Sequence, residues 1–143
     1  MKIPLTIAHE RVTLITTIRY KRIFGRIEFY IDTGSPVSFI NHSDALALHI
    51  PVESLPFDHH AKIGGGSLAL HKMDSVLLSF RNEKRELETI NIPFFVARSV
   101  KGEDKSSQFF PSVIGIDFLL ANKLVLYANP FENIAYLERK ETE

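Results

Sequence analysis

Ile27, Phe29 and Ile31 alternate with Arg26, Glu28 and Tyr30, and further along Val76, Leu78 and Phe80 repeat the pattern. A period of two places one set of side chains on one face of an extended strand and leaves no apolar stripe along a helix. Most of the chain reads this way. Ile3 to Ala8, Val12 to Tyr20, Ile23 to Ile31, Phe57 to Ile63, Leu87 to Ala97, Leu124 to Tyr127 and Ile134 to Leu137 are short runs rich in β-branched and aromatic residues, separated by polar turns. Tyr20-Lys21-Arg22 reads as a hairpin tip, and Pro93 marks its strand as an edge or the site of a bulge. Helix is confined to two pieces: Asn41 to Leu48, which stops before Pro51, and the stretch after Gly115, where Asp117 is placed to cap an N-terminus. The expected class is all-β with one or two short helices. At 143 residues and 45% hydrophobic, the chain suits a single domain, 1–143, with its core between about 12 and 137.

The strand that ends at Ile31 delivers a carboxylate, Asp32, into Thr33-Gly34-Ser35. An acid beside so much apolar surface needs hydrogen bonds to stay ionised, and Gly34 permits a tight turn whose amides point at it. Taken alone, Asp-Thr-Gly reads first as a polar turn in which the aspartate bonds its own backbone, and only its context along the chain favours a catalytic loop. Gly64-Gly65-Gly66, bracketed by Ile63 and Leu68, reads as a hairpin tip able to open and close over a ligand, or as an ordinary mobile loop. Apolar strand, glycine and short helix recur after Asp32 and again after Ile114, a weak internal repeat of two half-units around the acid.

Composition removes several function classes. Seventeen basic and seventeen acidic residues cancel, so neither nucleic acid nor a membrane surface is an expected partner. Eleven phenylalanines without a tryptophan fit a core better than a base-stacking surface. The absence of cysteine excludes disulfides, thiolate metal sites and a cysteine nucleophile, and fits a reducing compartment. Pro4, His9 and Glu10 interrupt the N-terminus before a signal-peptide core can form, and no apolar run spans a bilayer. A cytoplasmic protein is the expectation. His59, His60 and His71 lack a compelling metal-ligand spacing, so neither metal nor other cofactor is expected.

In their order along the chain, four features together resemble a single-domain, retropepsin-like (retroviral-type) aspartic protease. They are the strand into Asp32-Thr33-Gly34-Ser35; Ser38 with Phe39-Ile40; Lys62-Ile63-Gly64-Gly65-Gly66; and Val113-Ile114-Gly115 before a short helix. The resemblance implies a closed acid-protease-like β-barrel with ψ-loops, one glycine-tipped flap hairpin and one or two short helices. It implies an aspartic endopeptidase in which Asp32 is the catalytic acid/base, Thr33 bonds across a two-fold axis, Gly34 offers its backbone to water and substrate, and Ser35 bonds the outer carboxylate oxygen. Ile63, Gly64, Gly65 and Gly66 would cover the substrate, and Ile114 and Gly115 would support the loop. Only one Asp-Thr-Gly occurs, so a bilobal monomer is excluded and a symmetric homodimer acting on an extended peptide or unfolded protein is implied.

Two departures bear on that dimer. Where retroviral members pair an acid, two residues after the loop glycine, with an arginine after the later glycine, this chain has Pro36 and Ile116. Where they end in an interleaved terminal sheet, it continues past Leu137 with Glu138-Arg139-Lys140-Glu141-Thr142-Glu143. The rival function is a non-catalytic dimeric module of the same fold that binds an extended peptide; a second is an enzyme restricted to its own precursor or a single partner. No role is assigned to the polar loop Lys101 to Gln108.

Overall fold

A computed structural model describes residues 1–63, 66–99 and 110–140, and within them the alternating stretches form eleven strands and two short α-helices. The strands are β1 (Lys2–Pro4), β2 (Thr6–Ala8), β3 (Arg11–Tyr20), β4 (Ile23–Ile31), β5 (Phe39–Ile40), β6 (Phe57–Ile63), β7 (Gly66–Arg81), β8 (Leu87–Ser99), β9 (Val113–Ile114), β10 (Leu124–Asn129) and β11 (Ile134–Arg139). The helices are α1 (His42–Ala47) and α2 (Ile116–Ala121), and the connector after Pro51 holds a 3-10 turn at Val52–Ser54. Neither helix is long and apolar enough to cross a membrane.

Eight strands form one sheet in the order β2-β3-β4-β9-β5-β8-β7-β6, and a further pairing of β3 with β7, through Thr17–Ser79, Ile18–Leu78 and Arg19–Leu77, bends it into a closed barrel. The inward side chains of the alternating strands fill that barrel. Ile18, Phe29, Ile40, Met73, Leu78 and Val96 are fully buried, and Phe29 meets Phe94 edge to face at 5.5 Å between centroids. Each such side chain contributes about 1.5–3 kcal/mol through removal from water, which is why the period of two fixes the strand faces so firmly.

The alternating run Val76 to Phe80 is the end of one sixteen-residue strand, β7, that begins at Gly66. Met73 faces Phe94 and Val76 faces Ile92, so Asp74 and Ser75 together oppose Pro93. The bulge therefore falls opposite the one residue of β8 that has no N–H to donate. The stretch Ile3 to Ala8 is not one strand: it divides at Leu5, with β2 in the barrel and β1 in a second, three-stranded sheet ordered β1-β11-β10. Ile3 and Leu137, paired across that sheet, are both fully buried and join it to the main core.

A second apolar cluster lies apart from the barrel core and bears on the site. Val37, Phe39 and Val113 pack with Leu68, Leu70 and Ala97, so the base of the β6–β7 hairpin rests on the segment that follows Asp32. The hairpin itself is paired up to Ile63–Gly66. Its expected tip, Gly64-Gly65, and the loop 101–108 lie outside the described residues.

Candidate active site

β9 lies between β4 and β5, parallel to the first through Tyr30–Val113 and Ile31–Ile114 and antiparallel to the second through Phe39–Val113. The chain from β4 to β5 must therefore pass over the end of β9, and the residues that make the crossing are 32 to 38. This is the ψ-shaped loop. Its backbone is pinned on both sides: Asp32 N donates to Ile114 O at 3.0 Å, Ser35 N to Asp32 O at 3.0 Å, and Ile116 N to Ser35 O at 2.9 Å. Asp32, Thr33 and Gly34 are exposed at the crest. The Gly34 amide donates to Asp32 Oδ1 at 2.9 Å, and a Cβ on Gly34 would lie 3.2 Å from that same oxygen. The turn thus gives this exposed carboxylate a fixed donor at Oδ1.

Beneath the crest the loop is tied to the start of α2. Ser38, 3% exposed, donates through Oγ to Asp117 Oδ1 at 2.6 Å and accepts the Gly115 amide at 2.7 Å. The Ser38 amide donates to Asp117 Oδ2 at 3.0 Å. Gly115 sits so close that a Cβ there would be 2.5 Å from Ser35 O and 2.8 Å from Val37 O. Two sequence expectations change. Asp117 is not the N-cap of α2: that position is Gly115, and the Asp117 carboxylate instead spans the two ψ-loop halves, while also accepting the Phe118 amide at 2.7 Å. Ser35, 2% exposed, turns its hydroxyl inward to donate to Val37 O at 2.7 Å rather than to the Asp32 carboxylate.

A second buried junction holds the far end of the loop. Ser112, 1% exposed, accepts the Asn41 amide at 2.9 Å and donates to Asp44 Oδ2 at 2.6 Å. Asn41 caps α1 by accepting the Asp44 amide at 2.6 Å and donates through Nδ2 to Phe110 O at 2.8 Å. The cap was legible; the link from α1 to the approach of β9 was not.

Asp32 and Gly34 open into a groove of about 650 Å³ whose other walls come from Tyr30, Phe39, Arg11 and Lys62. Lys62, from β6, brings the hairpin over the same space as the carboxylate, and Arg11 lies over the Tyr30 ring at 4.9 Å from its centroid. Arg11 carried no sequence signal as a groove residue, whereas Lys62 opens the flap-like motif. The wall mixes apolar surface with a few placed polar groups, as ligand-binding clefts do. Of the sequence-named residues, Asp32, Gly34 and Ser35 line this groove and Ile114 and Gly115 lie against its floor. Gly66 is placed in the hairpin ladder.

His59 Nδ1 meets Asp58 Oδ2 at 2.5 Å, His71 Nδ1 lies 3.0 Å from Leu55 O, and the His60 ring packs against Phe57 at 4.9 Å.

A barrel closed around a ψ-loop that presents Asp-Thr-Gly is the architecture of an acid protease, and the aspartyl protease family model matches residues 25–118. The chain belongs to the aspartyl protease family. Among solved structures it is similar to a retropepsin-like aspartic protease from Rickettsia conorii, with 16% identity, a TM-score of 0.57 and coverage of 96% of this chain and 90% of that one. It is also similar to EIAV protease bound to an inhibitor, with 15% identity, a TM-score of 0.54 and coverage of 84% and 95%. No curated protein matches it in sequence. The fold is retropepsin-like, as the order of the four sequence features implies.

Proposed function

We propose that the protein is an aspartic endopeptidase whose active form is a symmetric homodimer. The observation that carries the reading is the single Asp32, exposed at the crest of a pinned ψ-loop and open to a groove, with no second Asp-Thr-Gly in the chain. Peptide hydrolysis without a metal or covalent nucleophile needs a base to activate water and an acid to protonate the carbonyl oxygen. One carboxylate cannot hold both states. Two brought together cannot readily both ionise, so they share a proton, and the pair titrates as a unit.

In this reading one ionised Asp32 takes a proton from water as the oxygen attacks the peptide carbonyl, and the protonated Asp32 of a second copy gives its proton to the carbonyl oxygen. Proton delivery to the amide nitrogen then lets the C–N bond break. Thr33, exposed beside the acid, would bond across the two-fold axis, and the Gly34 amide would hold Oδ1 throughout. Ser35, Ile114 and Gly115 would act by keeping the loop rigid. Ile63, Gly64, Gly65 and Gly66 would close over a substrate lying extended in the groove, whose side chains would be read by pockets in its wall. No cofactor is required, and a cytoplasmic site of action accords with a cysteine-free chain.

The test is cleavage of a diverse unstructured peptide mixture by wild type and Asp32→Asn, from mildly acidic to neutral pH and over a range of protein concentrations. Loss of a catalytic acid/base predicts a fall of about a hundredfold or more at unchanged fold, with wild-type specific activity rising with concentration. Equal inertness of wild type and variant, both folded and dimeric, would leave the peptide-binding module or the single-substrate enzyme as the better account.

A further inference from the structure

We propose that the cavity between α2 and β8 is a second binding site, separate from the groove at Asp32, and that it takes a small organic ammonium ion, an amine head on a compact apolar body. Its volume is about 210 Å³, the liquid volume of about seven waters, and it shares no lining residue with the groove. The inference concerns binding alone and stands or falls apart from the protease reading.

The fold leaves this space because of the way β8 is flanked. β5 pairs with β8 only through Phe39–Phe95 and Ile40–Val96, so before Phe95 the β5 side of β8 has no strand beside it among the described residues. α2 lies there instead. A helix bonds its own backbone, so it does not close the gap as a neighbouring strand would. Ile92, Pro93 and Phe94 form one wall of the cavity, and Asp117, Phe118 and Ala121 of α2 form the other.

One carboxylate decides what such a cavity can hold. Asp117 accepts Ser38 Oγ at 2.6 Å and the Phe118 amide at 2.7 Å on Oδ1, and the Ser38 amide at 3.0 Å on Oδ2. A carboxylate has about four acceptor positions, so one on Oδ2 is left over. All three donors are neutral, and among the described residues no cation is paired with Asp117. Asn122, which also lines the cavity, adds a second acceptor: its Nδ2 is committed to Phe118 O at 2.9 Å, and its Oδ1 receives no donor among the described residues. Arg139 Nε donates to the Asn122 backbone oxygen at 3.0 Å rather than to either side chain.

Unspent acceptors and a negative charge call for a donor that carries positive charge. An anion is repelled. A metal ion would need further ligands, and no group of three histidine, cysteine, aspartate or glutamate residues among the described ones could hold one. An ammonium supplies three donors from a single atom, and its apolar body suits walls that include Ile92, Phe94 and Phe118, where aromatic carbon favours a cation. The site is also tied to the loop that presents Asp32. Ser38, whose hydroxyl and amide both serve Asp117, ends that loop and accepts the Gly115 amide at 2.7 Å. An occupant on Asp117 Oδ2 is therefore registered first at Ser38 and Gly115.

The experiment is titration of the full, isotopically labelled chain with cyclohexylammonium at neutral pH, followed by the NMR shifts of its backbone amides, with cyclohexanol as the neutral counterpart. Saturable shifts at Ser38, Phe94, Gly115, Phe118 and Asn122 are expected, with a Kd on the order of 1 mM. Asp117→Asn keeps an acceptor for Ser38 and removes the charge, while cyclohexanol keeps the ring and loses it; each change is expected to weaken binding about fivefold. Ala121→Leu fills the cavity from an exposed helix position and is expected to abolish the shifts, which decides the matter even if Asp117→Asn does not fold. Asp32→Asn, which removes the exposed carboxylate at the crest, leaves the titration unchanged. The proposal is overturned by shifts that do not saturate, by cyclohexanol binding as tightly as the ammonium, or by a folded Asp117→Asn or Ala121→Leu that binds as wild type does. It is equally overturned by shifts that vanish with Asp32. An intact titration in a chain that shows no Asp32-dependent cleavage supports this site and refutes the protease, whereas Asp32-dependent cleavage without the titration does the reverse.

Discussion

Gly115→Ala is the substitution that most directly probes how the candidate site is built. Its backbone φ is −99°, so alanine meets no conformational penalty there, and the whole effect comes from the added methyl. That methyl would sit 2.5 Å from Ser35 O, 2.8 Å from Val37 O and 3.0 Å from Val37 C. All three are backbone atoms of the ψ-loop, which cannot step aside as a flexible side chain can. Forcing the loop and α2 apart costs about 1–3 kcal/mol as overpacking. It also stretches the bonds from Gly115 N to Ser38 Oγ, at 2.7 Å, and from Ile116 N to Ser35 O, at 2.9 Å. At about 1 kcal/mol each, these bring the expected loss to about 3–5 kcal/mol, a large part of the roughly 5–15 kcal/mol that holds a domain folded. Urea unfolding followed by circular dichroism measures it: the midpoint falls by roughly 1.5–2.5 M with the slope unchanged. A loss below about 1 kcal/mol would show that the loop relaxes freely around the methyl, and that Gly115 is not the close contact that fixes Asp32 in place.

Two further outcomes test elements away from the crest. His49 follows α1 with φ 59°, while its amide donates to Leu46 O at 3.0 Å and the Ile50 amide donates to Ala45 O at 2.9 Å, the two bonds of a helix end that ordinarily carries glycine. His49→Gly is expected to stabilise the fold by about 1 kcal/mol, read as a rise of roughly 4 °C in Tm, and an unchanged or lower Tm refutes the strain argument. The Glu83 carboxyl is held below its ordinary value of 4.5 by hydrogen bonds from its own amide and then from the Lys2 amide. A depressed carboxyl stabilises the fold fully above its unfolded value and loses that contribution as pH falls through its folded one. The Tm difference between wild type and Glu83→Gln is therefore expected to be complete above pH 4.5 and to shrink below it, whereas a difference that grows on acidification contradicts the assignment.

The strands were legible because each is a local pattern: Ile27, Phe29 and Ile31 declare a buried face without reference to anything distant. The ψ-loop of the candidate site was legible for a different reason, since Asp32-Thr33-Gly34 and Val113-Ile114-Gly115 are contiguous motifs whose order along the chain is itself informative. What stayed hidden was long-range or conformational. The hairpin of β2 with β3 turns on His9 and Glu10, both at positive φ, 51° and 64°, where asparagine and glycine are the usual signal. Asp117 read as a helix cap because an aspartate near an N-terminus ordinarily is one. Its actual partner, Ser38, lies 79 residues away, and no local pattern reports that distance.

Ser35, Ser38 and Ser112 show why such junctions escape a reading of the chain while deciding the geometry of the site. Each is at most 3% exposed, and each hydroxyl is committed to a group within the two ψ-loop halves or at the start of α1. A buried hydroxyl left without a partner costs about 1–3 kcal/mol, so these bonds specify one arrangement of the loop over its near neighbours. In sequence a serine that carries this burden is indistinguishable from one that faces water. The outward crest asks for the opposite chemistry: Asp32, Thr33 and Gly34 are exposed, and the apolar residues beyond them, Ile116 and Leu120, are uncovered. Buried serines thus hold one carboxylate still, while the residues around it on the crest stay open to solvent.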